Sequence, residues 1–303
     1  MTAKTAGFVG LGFMGLPMAC NLLRNGWNVQ AWNRSDAALL EVERLGGSRT
    51  TAVVGLRDQP VIIFMLPDLS YIEDAARPLL EDWRARPPAP GTAIVVMSSV
   101  SPTDVKAFGD RVASASGGNV SVVDAPVSGG TKGAQDGSLA IMVGSSEQEF
   151  TALLPLFEAM GSTVRLMGPL GSGSLAKACN QLIVGSTTAA LAEAAELAER
   201  SGMDVRALYD VLSGGLAGSR VLEIVGPRMA AKDYAPTGPA KFMLKDLNFV
   251  VHSAEAVGSA VPLATAGAEL YGELVRQGLG DHDLAVVREA ISNLSTANTA
   301  VAN

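Results

Sequence analysis

The chain has 303 residues, enough for two domains with a sizeable core. Its net charge of −7, without basic runs, argues against nucleic acid as the main partner. The only cysteines are Cys20 and Cys179 and the only histidines His252 and His282, so a disulfide framework, a metal site and a Ser-His-Asp triad have little to draw on, and a reducing, cytoplasmic setting fits.

Lys4 precedes an apolar run from Ala6 to Leu23 that loosely resembles a secretory leader, but four glycines and Pro17 interrupt it. No segment is long and apolar enough to span a membrane, so no membrane association is expected. Ala6 to Val9 reads instead as a short buried strand and Pro17 to Leu23 as a helix. Between them lies Gly10-Leu11-Gly12-Phe13-Met14-Gly15, the G-x-G-x-x-G pattern of a dinucleotide-binding turn. Its first glycine permits the tight turn, its second lets a pyrophosphate approach the backbone, and its third allows close packing of helix on strand. Met14 and Met18 are expected to pack the first helix onto the sheet.

A second strand, Asn28 to Trp32, ends in Asn33-Arg34-Ser35. An NAD-binding unit usually places an acid here for the ribose 2′-hydroxyl. This chain has an amide, a cation and a hydroxyl, which suit a 2′-phosphate, so NADP is preferred as cofactor with NAD possible. Further short apolar runs follow at Val61 to Leu66, Ala93 to Met97, Val120 to Val123 and Ala140 to Val143, then a helix around Glu147 to Met160. Such runs predict a parallel sheet buried on both faces. Ligands of open α/β sheets bind beyond the carboxyl ends of the strands, so the loops at Leu66-Pro67, Ser98-Ser99 and Asp124 to Gly130 should gather on the cofactor's side.

Past Gly168 the pattern becomes helical. Leu175 to Arg200 reads as one long helix, followed by a break at Ser201 to Asp204, a loop at Lys232 to Pro239, and helices at Lys241 to Val257 and Pro262 to Arg276. Asp283 is expected to cap the last helix and the tail from Ser295 to fray. On the long helix Ser174, Lys177, Asn180 and Gln181 lie three or four apart and share one face. Cys179 points to another face and is expected to be buried. His252 reads as a packed or surface helix residue. The fold class is an α/β Rossmann domain over residues 1–167, then an all-α domain over 168–303 for substrate and dimerisation.

Four motifs, in order, resemble the β-hydroxyacid dehydrogenases, which include 3-hydroxyisobutyrate dehydrogenase, 2-hydroxy-3-oxopropionate (tartronate semialdehyde) reductase and glyoxylate/succinic semialdehyde reductases. They are Gly10 to Met18 with Asn21-Leu22; Asp124 to Gly130 with Gly133-Ala134 and Gly137; Gly171-Ser172-Gly173 with Lys177 and Asn180; and Lys245-Asp246-Leu247. The resemblance covers nearly the whole chain. It implies Lys177 as catalytic general acid and base, and Ser128, Gly129, Gly130 and Asn180 as substrate-binding residues. Cofactor contacts are implied at Gly10, Leu11, Gly12, Phe13, Met14, Gly15, Asn33, Arg34, Ser35, Leu66, Pro67, Ser99 and Lys245. Asp246 is expected to orient its region.

The substrate implied is a short β-hydroxyacid or its semialdehyde, in a cleft between the domains of a homodimer or homotetramer. Many relatives carry an aromatic residue where this chain has Gly238, which leaves room for a larger sugar acid such as threonate, or a 3-hydroxy amino acid. Related imine reductases and silent cofactor-binding sensors lack the lysine, and its presence argues against both.

Overall fold

The computed structural model describes residues 4–301. Clustering of the backbone divides the chain into two compact units, residues 1–177 and 178–303.

The first unit is built on a sheet whose strands alternate between two cores. Its elements in chain order are β1 (Thr5–Val9), α1 (Gly15–Arg24), β2 (Asn28–Trp32), α2 (Asp36–Arg44), β3 (Ser48–Arg49), β4 (Val61–Phe64), α3 (Leu69–Ala85), β5 (Thr92–Val96), α4 (Pro102–Ala115), β6 (Val120–Asp124), β7 (Val127–Ser128), α5 (Gly130–Asp136), β8 (Leu139–Gly144), α6 (Glu147–Glu158) and β9 (Gly161–Gly168). The strand order is β3-β2-β1-β4-β5-β6-β8-β7, with β9 beside β8. On β4 and β5, Ile63, Ala93 and Val95 join one core with Phe8, Met18, Leu22 and Phe157. Their neighbours Ile62, Phe64, Ile94 and Val96 join the other, with Leu79, Trp83 and Phe108. Side chains alternate along a strand, so a sheet buried on both faces needs an unbroken apolar run. Each large side chain withdrawn from water contributes about 1.5–3 kcal/mol. Met14 and Met18 pack into the first core as expected.

The parallel pairing of β2, β1, β4, β5 and β6 agrees with the sequence, which did not foresee β3, but the strand at Ala140 to Val143 does not. β8 runs antiparallel to β6 and β7, and parallel to β9. The segment between β6 and β8 forms β7 and a seven-residue helix, not a crossover helix that would return β8 parallel. β9 was not expected at all. It packs only Gly161 and Val164 fully inward, so its apolar signal is weak.

One long helix, α7 (Ser172–Arg200), contains the division between the units, which falls after Lys177. The second unit continues with α8 (Val205–Ser213), α9 (Arg220–Ala231), α10 (Lys241–Val257), α11 (Pro262–Arg276) and α12 (Val287–Val301). Its core gathers Leu191, Tyr209, Met229, Met243, Leu247, Tyr271, Leu274 and Val286. Glycines let these helices close: a Cβ on Gly185 would meet Met243 Sδ at 2.9 Å, and one on Gly267 would meet Leu247 Cδ1 at 3.1 Å. The Tyr271 hydroxyl donates to the Gly185 carbonyl at 3.2 Å, and burial pushes its pKa well up. Asp283 caps a 3-10 turn, Leu284–Val286, that leads directly into α12. The tail does not fray at Ser295. α12 runs to Val301, with the Ser295 and Thr296 hydroxyls donating to the Ile291 and Ser292 carbonyls. Residues 302 and 303 lie outside the described residues.

The start of α7 is fixed from the sheet. Asp124, the last residue of β6, is fully buried. Its Oδ1 accepts the Gly171 N–H at 2.8 Å and its Oδ2 the Ser174 N–H at 2.5 Å. Burial pushes the Asp124 carboxyl above its ordinary range, and these two backbone donors partly oppose the shift. Close approach needs glycine on both sides: a Cβ on Gly144 would meet Asp124 Oδ1 at 2.1 Å, and one on Gly173 would meet the Met142 carbonyl at 2.3 Å. Asp124→Ala should therefore strand two buried N–H groups and destabilise the protein by about 2–6 kcal/mol, at about 1–3 kcal/mol for each. Chemical denaturation checks this; a loss below about 1 kcal/mol would refute the anchoring role.

Candidate active site

The parallel strands end on one edge of the sheet, and the loops leaving them carry the residues that the sequence singles out. The order reverses between β1 and β4, where β2 lies on one side of β1 and β4 on the other, and such a switch point opens a crevice for a ligand. The loop from Gly10 to Gly15 leaves β1 there. Gly10 has φ +96°, and a Cβ on it would meet the Met65 carbonyl at 2.4 Å. A Cβ on Gly15 would meet the Gly10 carbonyl at 2.0 Å, whereas one on Gly12 would meet nothing within 4 Å. Gly10 and Gly15 are thus demanded by the protein's own packing. Gly12 leaves an open cradle beside the first turn of α1, which no side chain caps. That combination fits a dinucleotide pyrophosphate. Phe13 stands exposed at the rim.

Asn33 ties two of these loops together. Its Oδ1 accepts the Leu11 N–H at 3.0 Å, and its Nδ2 donates to the Ser35 carbonyl at 3.0 Å and to Ser35 Oγ at 3.1 Å. Asn33 and Ser35 therefore serve loop geometry as well as whatever they bind. Arg34 between them is exposed. After β4 and β5, the Leu66 N–H donates to Ser98 Oγ at 2.9 Å. Ser98 is buried, Ser99 half-buried and Pro67 exposed on the same edge. The sequence placed the Ser98-Ser99 loop on this edge and singled out Ser99; the hydroxyl that ties the neighbouring loop is that of Ser98. Past β6, Ser128 ends β7, and Gly129 and Gly130 follow at φ +137° and +64°.

Lys177 lies on α7, one turn beyond the Ser174 N–H that Asp124 holds, and is half-buried. Asn180 and Gln181 follow on the same side. Asn180 Nδ2 donates to Gln181 Oε1 at 2.9 Å, and Gln181 Nε2 donates to Asp246 Oδ2 on α10 at 2.7 Å. Asp246 is buried, and Lys245 Nζ stands 3.3 Å from its Oδ1 and 5.1 Å above the Phe249 ring. The expectation that Asp246 orients its region thus acquires definite partners. The link through Gln181 has no local sequence signal, because it spans 65 residues.

Cys179 is exposed, not buried. It does turn away from Lys177, but onto a stripe that includes exposed Ile183 and Leu197. The many alanines of this helix conceal which stripe faces inward. His252 lies exposed on α10. Gly238 sits in the loop before α10 with open space where a Cβ would project.

A Rossmann sheet with this glycine turn and these strand-end loops defines an NAD(P)-binding oxidoreductase. Residues 5–168 match the NAD binding domain of 6-phosphogluconate dehydrogenase. Residues 171–291 match the family described as NAD-binding of NADP-dependent 3-hydroxyisobutyrate dehydrogenase. The chain is 34% identical to 2-hydroxy-3-oxopropionate reductase of Escherichia coli K12, over 94% of this chain and 96% of that protein. It is 32% identical to NAD-dependent L-serine dehydrogenase of Pseudomonas aeruginosa, over 94% and 97%. The crystal structure of 3-hydroxyisobutyrate dehydrogenase from Salmonella typhimurium superposes with a TM-score of 0.86 at 27% identity, covering 94% of this chain and 99% of that one. The chain belongs to the β-hydroxyacid dehydrogenase family.

The two kinds of glycine in the turn predict opposite outcomes. Gly12→Ala should leave the melting temperature within about 2 °C, because its Cβ enters open space, while weakening NADP(H) binding at least about tenfold. Gly15→Ala should destabilise the fold itself by about 1–3 kcal/mol through overpacking. Thermal melts and fluorescence titration with NADPH on both variants separate the two effects.

Proposed function

We propose that the protein moves hydride between NADP(H) and a short β-hydroxyacid or the matching semialdehyde, with Lys177 as general acid and base. The observation that carries this reading is the anchoring of α7 by Asp124. It sets Lys177 one turn from the strand edge along which the dinucleotide loops lie. The cofactor, when bound, supplies or accepts the hydride at its nicotinamide ring. In reduction the Lys177 ammonium donates a proton to the carbonyl oxygen. In oxidation the neutral amine takes the alcohol's proton.

Ser128, Gly129 and Gly130 offer a hydroxyl and unshielded backbone N–H groups to the substrate carboxylate. Asn180, three residues beyond Lys177, orients the substrate. Leu66, Pro67, Ser99 and Lys245 contact the cofactor in this reading, with the Gly10–Gly15 loop at its pyrophosphate. Arg34 pairs with the 2′-phosphate of NADP, and Asn33 carries no charge to repel it. The exposed apolar stripe of Cys179, Ile183 and Leu197 supports association of copies into a homodimer or homotetramer. The setting we propose is the cytoplasm.

Lys177→Met should lower kcat by about 10²–10⁴-fold, the usual worth of a positioned acid or base, with NADPH affinity retained. Full turnover in that variant would sink the catalytic assignment. Asn33→Asp keeps an acceptor for the Leu11 N–H but places a negative charge beside the 2′-phosphate. It should move the ratio of kcat/KM for NADP over NAD towards NAD by about tenfold or more. An unchanged ratio would place 2′-phosphate recognition elsewhere.

A further inference from the structure

Helix α5 is seven residues long and does not satisfy its own C-terminal end. The N–H groups of Gly137 and Ser138 both turn back to the Gly133 carbonyl. The carbonyls of Ala134 and Gln135 are thus left without donors from their own turn. Helix α1 supplies one. Asn21, 6% exposed, donates from Nδ2 to the Ala134 carbonyl at 2.7 Å and reaches the Gln135 carbonyl at 3.5 Å. Carbonyls only accept, so the amide must turn its Nδ2 to this side, and on the other side its Oδ1 accepts from Arg24 Nη1 at 3.2 Å. Gly137, at φ +65°, lets the chain leave beneath Asn21: a Cβ there would stand 3.4 Å from Nδ2. The end of α5 is therefore held by a side chain 113 residues away, on the helix that opens at the dinucleotide turn. All of these residues lie in the first unit.

We propose that Asn21 is a positioning residue through which a dinucleotide on the Gly10–Gly15 turn orders the Ser128–Gly130 segment. The inference rests on the reading of that segment as the holder of the substrate carboxylate. Ser128 is paired to β8, opposite Ala140, and Gly130 begins α5. Gly129 and Gly130 take φ +137° and +64°, in a region where glycine has wide backbone freedom. The directions of their N–H groups then depend on where α5 sits. A pyrophosphate at the first turn of α1 fixes that helix, and Asn21 passes the restraint to the far end of α5. A segment already ordered by the cofactor need not be ordered again by the substrate. The linkage is reciprocal, so bound substrate tightens the dinucleotide by the same factor.

Hydrogen–deuterium exchange of the full-length protein reads the linkage directly, with and without saturating NADP or NAD, whichever binds more tightly. In wild type the dinucleotide should slow exchange about fivefold or more, both over residues 10–18 and over residues 129–138. Asn21→Leu keeps the size of the side chain and removes its donor. In that variant the slowing over 10–18 should persist, and the slowing over 129–138 should fall to within about twofold of none. Dinucleotide affinity should stay within about threefold of wild type, while KM for the fastest of 3-hydroxyisobutyrate, glycerate and L-serine rises about tenfold and kcat changes by less than about threefold. A merely structural role would speed exchange in both segments and weaken the dinucleotide, without separating KM from kcat. Wild-type slowing confined to 10–18, or slowing over 129–138 that survives Asn21→Leu, would overturn the proposal. The wild-type comparison decides alone should the variant fail to fold. Slowing lost over 129–138 with KM unchanged defeats the carboxylate reading of Ser128–Gly130 and leaves the linkage standing.

Discussion

A single buried carboxylate sets where the first unit's chemistry can happen. Asp124 closes β6 at the edge where the parallel strands end, and its two oxygens take the N–H groups that open α7. The first N–H groups of any helix lack partners within it, and a negative charge there complements the helix dipole. Here that general need is met by a residue of the sheet instead of a residue of the preceding turn. The usual side-chain cap comes from the local sequence and leaves the helix free to swing. A cap that comes from a strand fixes the helix start to the sheet. Lys177 inherits that register through less than two turns of regular backbone.

Glycine makes the register possible, and the same logic recurs on the dinucleotide side. Gly144 and Gly173 allow backbone of β8 and α7 to close around Asp124, where a methyl group would overlap existing atoms by more than an ångström. Gly10 and Gly15 likewise allow the turn after β1 to fold against itself and against the end of β4. Gly12 differs, because the protein leaves its space open. A motif written as three equivalent letters thus divides into two glycines that the fold needs and one whose space the fold leaves open.

These distinctions mark what the sequence could and could not carry. The parallel strands were legible because burial on both faces forces unbroken apolar runs such as Val61 to Phe64. The long helices were legible because their periodicity is local. The direction of β8 was not, since an apolar hexapeptide looks the same run either way, and β9 was missed because it is an edge strand with few buried positions. In the candidate site, the sequence singles out residues whose type itself suggests chemistry: the glycines, Lys177, Asn180 and Arg34. What escaped were the distant partners of polar residues that the sequence had named. Asp124 was visible as a motif letter, but its grip on residues 171 and 174 was not. Ser98 and Gln181 belong to the same class. Cys179 failed for another reason: α7 is rich in alanine on every side, so composition could not reveal its exposed stripe.

Neither Asp124 nor Asp246 is a cheap residue to bury. Desolvating a carboxylate costs several kcal/mol, and hydrogen bonds offset this only when geometry is good. An apolar residue at either position would pack without that penalty, so stability alone does not account for them. Each does what an apolar residue cannot, which is impose direction. Asp124 takes backbone N–H groups and thereby fixes the start of α7. Asp246 takes a side-chain N–H and thereby fixes the polarity of the amides on the same helix a turn later. Both carboxylates thus act by imposing direction, one on backbone N–H groups and the other on side-chain amides.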